Sequence, residues 1–494
     1  MSEDFSRIFF PDPTTNWIKR FLDFDTARFE KLLYTKDESY WHRLGERRAL
    51  ALFHAAAVRV PAYKHFLKKN GVSHTKIKTI ADFARVPTTD KINYISVYPL
   101  AQRCWDGRLD QSTLVAMSSG TSGEPTFWPR GGYEEFEAAV IHELLYRSLF
   151  AIHKKKTLLL IGFPMGVYVS GVATLLPSWL VAQRGYDLTV VSVGNNKDQK
   201  MKVAEHLSKH YDQTILVGHP FFVKDVIETA RRQRMTLPKN LKLMFCSEGF
   251  TEGWRDYVAQ KSGIPQGKHH AVSTYGSSET LLIGNETGAS IALRRTMGPA
   301  APSVFQYNPL LRYIESVNNE LFFTSASGIP LIRFDLHDSG QVISYATAQK
   351  TATLPKNSWH LPFVTLNGRS DQTMIFYAAN IYPEHIHLAL NEKKFLNHIT
   401  GKFTMRKDYL KNMDQFLEIN IELQDRTRPT ATLTRALEDQ IVKRLSQVNM
   451  EYRFLQQHLE KDLRPRVVLR PYQDQAYFRP GLKPQYIIKE TRRR

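Results

Sequence analysis

The strongest constraint on this chain lies between residues 114 and about 362, where short apolar, β-rich runs alternate with helical patterns. The runs at 157–161, 187–193, 214–217 and 241–246 each precede or follow a segment of helical periodicity. A strand that reads as an unbroken apolar run must be covered on both faces, and helices between such strands supply the cover. The alternation therefore predicts parallel strands with crossover helices. The first run opens a charge-free stretch from Thr157 to Gln183, longer than the ~20 residues a bilayer crossing needs. Gly162, Pro164, Gly166, Gly171 and Pro177 interrupt it at the spacing of a buried strand, a turn and a buried helix, so it is expected in a protein core.

The flanks read differently. The first hundred residues form a largely helical front-end lobe, with amphipathic stretches near 27–34 and 47–59, closed by the turn-rich Pro87-Thr88-Thr89-Asp90. Past Glu320 the texture becomes strand-turn-strand, as in Leu321-Phe322-Phe323-Thr324 and Leu331-Ile332-Arg333-Phe334. Beyond Gly368 a smaller unit begins. Residues 375–494 hold 22 Lys plus Arg against 14 Asp plus Glu, a net +8 out of +19 for the whole chain. Such a field attracts nucleotides, coenzyme phosphates, nucleic acid or an acidic protein; it selects the sign of a partner rather than the partner. Two cysteines, Cys104 and Cys246, exclude a disulfide framework and zinc sites of three or four thiolates, which fits a reducing cytoplasm. The start, Met1-Ser2-Glu3-Asp4-Phe5, carries acid where a signal peptide carries Lys or Arg, so export is not expected. The terminal Arg492-Arg493-Arg494 is assigned no role.

Four segments carry chemistry. In Ser118-Ser119-Gly120-Thr121-Ser122-Gly123-Glu124-Pro125-Thr126 small residues let backbone amides turn inward around phosphate oxygens, and the hydroxyls add donors. It is not a Walker loop, because Glu124 follows Gly123; in isolation it reads equally as a polar surface turn. Ser273-Thr274-Tyr275-Gly276-Ser277-Ser278-Glu279-Thr280 offers a flat ring for a base and an acid that can hold a divalent cation. Leu331 to Gly340 includes Asp335 and Asp338, and an aspartate in a strand-ending turn there can accept hydrogen bonds from ribose hydroxyls. The fourth segment is Asn367-Gly368-Arg369-Ser370-Asp371, followed by Met374-Ile375-Phe376 and Asn380-Ile381-Tyr382-Pro383. His385-Ile386-His387 and His269-His270 are not expected to bind metal, and no His-Glu-x-x-His or Gly-x-Ser-x-Gly pattern occurs.

In this order the four segments resemble the adenylate-forming superfamily of acyl-CoA synthetases, and most closely its phenylacetate-CoA ligase-like branch. Val60-Pro61-Ala62-Tyr63 and the run from Phe83 to Lys91 look like that branch too. The resemblance implies an α/β fold: a large N-terminal domain over 1–368 with mixed and parallel sheets, a hinge at 369–371, and a small mobile α+β C-terminal domain over 372–494 that closes in two orientations. It implies that Ser118, Ser119, Gly120, Thr121, Ser122 and Gly123 grip the β- and γ-phosphates of ATP, that Tyr275 and Gly276 lie against adenine, and that Ser278 touches the α-phosphate. Glu279 would hold magnesium, Asp338 the ribose, and Arg369 the ribose or phosphate, with Ser247 and Glu248 in an adenine-side loop. Asp371 would be the hinge. Lys483 would be the catalytic lysine, with Lys489 in reserve. Phe163, Met165, Gly166, Tyr168 and Val169 with His219, Phe221 and Phe222 would line a pocket for an apolar or aromatic carboxylic acid.

One departure concerns the acceptor. Where relatives commonly have Arg-Gly, this chain has Tyr377-Ala378-Ala379-Asn380, and a methyl group there narrows the channel that the resemblance assigns to pantetheine. Three functions follow from these readings. The first is ATP-dependent ligation of a carboxylic acid to coenzyme A; the second keeps adenylation but passes the group to an amine, an acidic carrier protein or a protein thiol. The third is a basic nucleic-acid-binding protein without turnover, disfavoured because the basic residues form no arginine-rich helix or stacked-aromatic motif. A homodimer is compatible with the sequence, which fixes no oligomeric state.

Overall fold

The computed structural model describes residues 5–12, 14–118, 125–166, 169–194, 196–265, 270–459, 461–478 and 485–488. The described chain divides into two compact units, with the boundary between Gly368 and Arg369.

The first unit opens with helices Thr26–Thr35, Glu38–Arg59 and Pro61–Lys69. The longest is capped by Asp37, whose side chain accepts from the Tyr40 amide, and it stops at Val60 because Pro61 disfavours a helical residue before it. It buries Trp41, Leu52, Phe53 and Ala56 against the domain core.

The central sheet has nine strands. In chain order these are β3 (Thr157–Ile161), β4 (Leu188–Ser192), β5 (Gln213–Gly218), β6 (Leu241–Phe245), β7 (Ala271–Ser277), β8 (Leu281–Asn285), β9 (Ser303–Gln306), β13 (Val342–Ile343) and β14 (Phe363–Leu366). They follow a small hairpin, β1 (Leu114–Ser118) with β2 (Thr126–Arg130), and enclose in sequence an antiparallel meander, β10 (Tyr313–Val317), β11 (Glu320–Ser325) and β12 (Leu331–Ser339). The sheet order is β13-β14-β9-β8-β7-β6-β5-β3-β4, parallel from β7 to β4 and antiparallel elsewhere. Every residue of β3, β5 and β6 is buried, as unbroken apolar runs require. The charge-free stretch forms β3 and the helix Val169–Ala182 with Pro177 inside it, and no helix among the described residues is long and apolar enough to cross a membrane.

A buried charge cluster ties the front lobe to this core. Arg48 and Arg312 both pair with Glu137 on the helix Gly132–Phe150, and Arg48 Nη1 donates to the Leu311 carbonyl at 2.9 Å. On the same helix His142 is buried, its Nδ1 2.8 Å from the Ala138 carbonyl oxygen. Burial pushes its pKa from 6.5 down to about 4, against that hydrogen bond. The unfolded chain therefore takes up a proton below pH 6.5 that the folded chain refuses until about pH 4, so stability falls as pH drops through this window. At pH 5 the loss is about 2 kcal/mol for this group. Urea midpoints at pH 7 and pH 5 are expected to show it, and His142→Gln should shrink the difference by about that amount; an unchanged difference would sink the assignment.

The second unit has its own α+β core. Strand Ile399–Tyr409 pairs antiparallel with Gln415–Leu423, which pairs parallel with Arg466–Arg470, and the helices Ala431–Val448 and Met450–His458 accompany them. His385 and His387 sit on the helix Pro383–Leu390, so their rings leave on different faces.

Candidate functional site

The parallel strands end on a common edge of the sheet. From β3 the chain passes outward to β4, then returns to β5 on the other side of β3, so the winding reverses between β3 and β5. In open α/β sheets ligands occupy the crevice at such a reversal, beyond the carboxyl ends of the strands. Phe163 follows β3, His219 follows β5, Ser247 and Glu248 follow β6, and Tyr275 and Gly276 close β7. The topology thus brings residues from four separated segments to one edge. Ser247 is exposed with φ 81°, a left-handed backbone in the turn leaving β6, while Glu248 is buried.

Glu279 lies in the tight link between β7 and β8. Gly276 is required there, because a Cβ would come 2.7 Å from the Leu281 carbonyl oxygen where the hairpin register shifts. The link is held by the Ser277 and Thr280 hydroxyls, 2.9 Å apart, and by Arg312 Nη2 donating to the Thr280 carbonyl at 2.8 Å. The buried ion cluster therefore also fixes the loop that carries Glu279. Its carboxylate is 7% exposed and pairs with Lys91 Nζ at 2.7 Å. Burial pushes the carboxyl up, but the Lys91 charge and hydrogen bond, helped by Ser277, outweigh it and hold the pKa below the usual range. Glu279 is an anion kept in low dielectric by one cation. Magnesium typically binds one or two carboxylates plus substrate phosphates and water, and a single buried, ionised carboxylate fits that requirement. Among the described residues no cluster of three or more His, Cys, Asp or Glu offers an all-protein cage.

Lys91 was not singled out by the sequence. It begins a helical turn capped by Asp90, and the preceding Thr89 is stitched to β12: its amide donates to Arg333 O, it accepts from the Asp335 amide at 2.7 Å, and its hydroxyl donates to Ile332 O at 3.0 Å. The Asp-Lys pair at a capped turn was a visible signal, but its partner lies far along the chain.

Tyr275 is 5% exposed and its hydroxyl donates to Asp338 Oδ2 at 2.5 Å. The ring stacks on Phe305 of β9, with centroids 5.4 Å apart, so one of its two faces is taken. Asp338 lies inside β12 rather than in a turn after it. Trp128 Nε1 donates to Ser118 Oγ at 2.9 Å across the β1–β2 hairpin. Glu134 accepts from the Gly131 and Gly328 amides next to that hairpin, and burial pushes its carboxyl up to about 7.

Of the pocket residues, Phe163 is buried edge-on to His219, centroids 5.0 Å apart, while Met165 and Gly166 are exposed. Phe221 packs against Trp254, centroids 5.5 Å apart, as a core aromatic does. Ser278 is half-buried at the hairpin tip. Ser119, Gly120, Thr121, Ser122, Gly123, Tyr168, Lys483 and Lys489 lie outside the described residues.

In the second unit Arg369 and Asp371 form a bidentate pair, Nε to Oδ1 at 3.0 Å and Nη2 to Oδ2 at 2.6 Å. Burial raises the Asp371 pKa, but the Arg369 bonds and charge outweigh it and leave the carboxyl below the usual range. The hairpin Met374–Phe376 with Ala379–Ile381 turns at Tyr377 and Ala378, both left-handed at φ 49° and 67°. That turn suits glycine, and Gln415 holds it by accepting from the Tyr377 amide at 2.8 Å. Ala378→Gly is expected to stabilise this unit by about 1 kcal/mol, read as a raised urea midpoint; a lowered midpoint would mean that the methyl group packs favourably.

No protein-family model matches the chain. It is 22% identical to phenylacetate-coenzyme A ligase of Thermus thermophilus over 362 residues, 70% of this chain and 74% of that one. It is also 22% identical to phenylacetate-coenzyme A ligase of Aromatoleum evansii over 331 residues, 66% of this chain and 70% of that one. Among solved structures it superposes on 2-hydroxyisobutyryl-CoA ligase in complex with 2-HIB-AMP and CoA in the thioesterification state, with a TM-score of 0.65 and 16% identity over 93% of this chain and 91% of the other. The fold shared with 2-hydroxyisobutyryl-CoA ligase and the sequence likeness to two phenylacetate-coenzyme A ligases agree with the resemblance that the ordered motifs carry.

Proposed function

We propose that the protein uses ATP to activate a carboxylic acid, apolar or aromatic over most of its length, and then transfers the acyl group to coenzyme A. The observation that carries this reading is the convergence of Phe163, His219, Ser247, Glu248, Tyr275 and Gly276 on one sheet edge, with Glu279 held ionised just beyond it. In the first half-reaction a carboxylate oxygen bonds to the α-phosphorus and pyrophosphate leaves. In the second the thiol sulfur bonds to the acyl carbon, AMP leaves, and the thiol proton passes to solvent.

Like charges meet in the first step, so the site must neutralise phosphate charge and align the nucleophile with the leaving group. Residues 118–126 would wrap the β- and γ-phosphates. Tyr275 would lie against adenine, Asp338 would accept from ribose hydroxyls, Ser278 would donate to the α-phosphate, and Arg369 would reach ribose or phosphate. Glu279 would hold magnesium, which when bound neutralises phosphate charge. Lys91, which pairs with Glu279 at 2.7 Å, would then be available to a phosphate oxygen. Asp371 would act as the hinge, releasing Arg369 as its backbone turns. Lys483 would stabilise the charge developing at the α-phosphate.

The test is ATP–pyrophosphate exchange across a panel of carboxylic acids, followed by AMP release from the preformed adenylate on adding coenzyme A, an amine or a carrier protein. Acid-dependent exchange with thiol-dependent AMP release is the expected result. Exchange without a response to coenzyme A would transfer the second step to another acceptor. No exchange for any acid, with salt-sensitive RNA binding, would replace the reading by nucleic-acid binding.

A further inference from the structure

The crevice between β3 and β5 holds a buried cation that the proposed chemistry does not use. Lys200 lies in the first turn of the helix Lys197–Leu207 and is 2% exposed. Its side chain crosses the end of β3 through a gap made by glycine: a Cβ on Gly162 would come 2.8 Å from Lys200 Cε and 3.3 Å from Nζ. Gly218, at the end of β5, sits against Gly162 and likewise lacks a side chain there. Nζ has no hydrogen-bond acceptor or carboxylate partner among the described residues; its one close partner is the Phe222 ring, 6.0 Å to the centroid. Asp225 attracts it at longer range, but that carboxylate pairs with Lys197 at 3.3 Å. A positive charge in the first turn of a helix also opposes the helix dipole, so local helix stability does not account for this lysine.

The His219 ring lies alongside, close enough to feel the Lys200 charge. His219 is buried between Phe163 and Phe222, with centroids 5.0 and 5.9 Å away, and its Nδ1 has no hydrogen-bond partner. Burial first, and the Lys200 charge second, depress its pKa to about 4 against a hydrogen bond to the Cys246 backbone, so the ring is neutral near pH 7 and carries a single N–H. Burial pushes Lys200 down to about 8, which leaves it mostly an ammonium at neutral pH. An unpaired buried charge is costly, and a ligand carboxylate removes that cost by accepting from the Lys200 ammonium.

Building on the carboxylate-activating reading above, we propose that Lys200 and His219 form the polar end of the acyl pocket and that the preferred substrate is a dicarboxylic acid. One carboxyl is activated while the second, remote from the reacting end, is bound by Lys200 Nζ beside the His219 ring. The pocket is then apolar along its walls, at Phe163 and Phe222, and cationic at its end.

The native protein tests this with matched acids in ATP–pyrophosphate exchange: phenylacetate, 4-hydroxyphenylacetate and 4-carboxyphenylacetate, and hexanoate, monomethyl adipate and adipate. At least one diacid is expected to exceed its matched monoacid by about 10-fold or more in kcat/KM. Lys200→Met should abolish or reverse that ratio, chiefly through KM of the diacid. Monoacids equal to or better than both diacids in the native protein would overturn the proposal while leaving acid activation standing. Preference for the phenol, or a Lys200→Met effect equal on mono- and diacids, would overturn it too. The absence of exchange with any acid would remove this inference together with the reading on which it rests.

Discussion

Glu279→Gln is expected to slow ATP–pyrophosphate exchange by about 100-fold or more and to raise the magnesium concentration needed for half-maximal exchange sharply. The substitution keeps the shape of the side chain and removes only the charge. The fold around it should persist, because the hairpin tip is held independently by the Ser277–Thr280 contact and the Arg312 bond to Thr280. Lys91 is about one-third exposed, so water can take the place of its lost partner. A small change in melting temperature with a large change in magnesium dependence therefore separates a metal role from a structural one. Lys91→Met tests the same pair from the other side: it leaves the carboxylate for the metal but removes the cation that holds it ionised, so exchange should shift to higher pH as the Glu279 carboxyl rises toward its burial-dominated value. A flat magnesium response in Glu279→Gln would move the metal assignment away from this residue.

Much of the large unit was legible in the sequence because buried parallel strands must be continuously apolar. Leu158 to Ile161 is such a run, and the reading of 187–193 differs from the strand Leu188–Ser192 by one residue at each end. Tyr275, Gly276 and Glu279 were singled out by residue type alone, and the structure puts the first two in β7 and Glu279 in the link beyond it. What could not be read depends on which distant strand becomes a neighbour. Phe305 covers one face of Tyr275 because β9 lies two strands from β7, a matter of topology rather than of residues near 275. Lys91 meets Glu279 only because Thr89 is bonded to β12. Lys200 sits in the charged run Lys197-Asp198-Gln199-Lys200, which by pattern is a solvated helix start; the missing side chain of Gly162 leaves room for it, and glycine after a strand ordinarily signals a turn. Arg369 and Asp371 were singled out for separate roles, whereas their bidentate pairing makes them one unit.

The second large effect is expected at the other end of the chain. Lys483→Ala should reduce ATP–pyrophosphate exchange by about 100-fold, equivalent to ~3 kcal/mol of transition-state stabilisation. As carboxylate oxygen approaches the α-phosphorus, negative charge builds on the phosphate oxygens. A cation supplied there stabilises the transition state more than the ground state, so its loss should lower kcat with little change in the KM for ATP. In Arg479-Pro480-Gly481-Leu482-Lys483-Pro484 one residue separates the glycine from the lysine. Lys489 is the necessary comparison, since it lies six residues further on in a segment of similar charge. If Lys489→Ala alone gives the loss, the role belongs to that residue. If both single variants exchange pyrophosphate at the native rate, adenylation here does not use a lysine from this segment, and the charge must be met by Arg369 or Lys91.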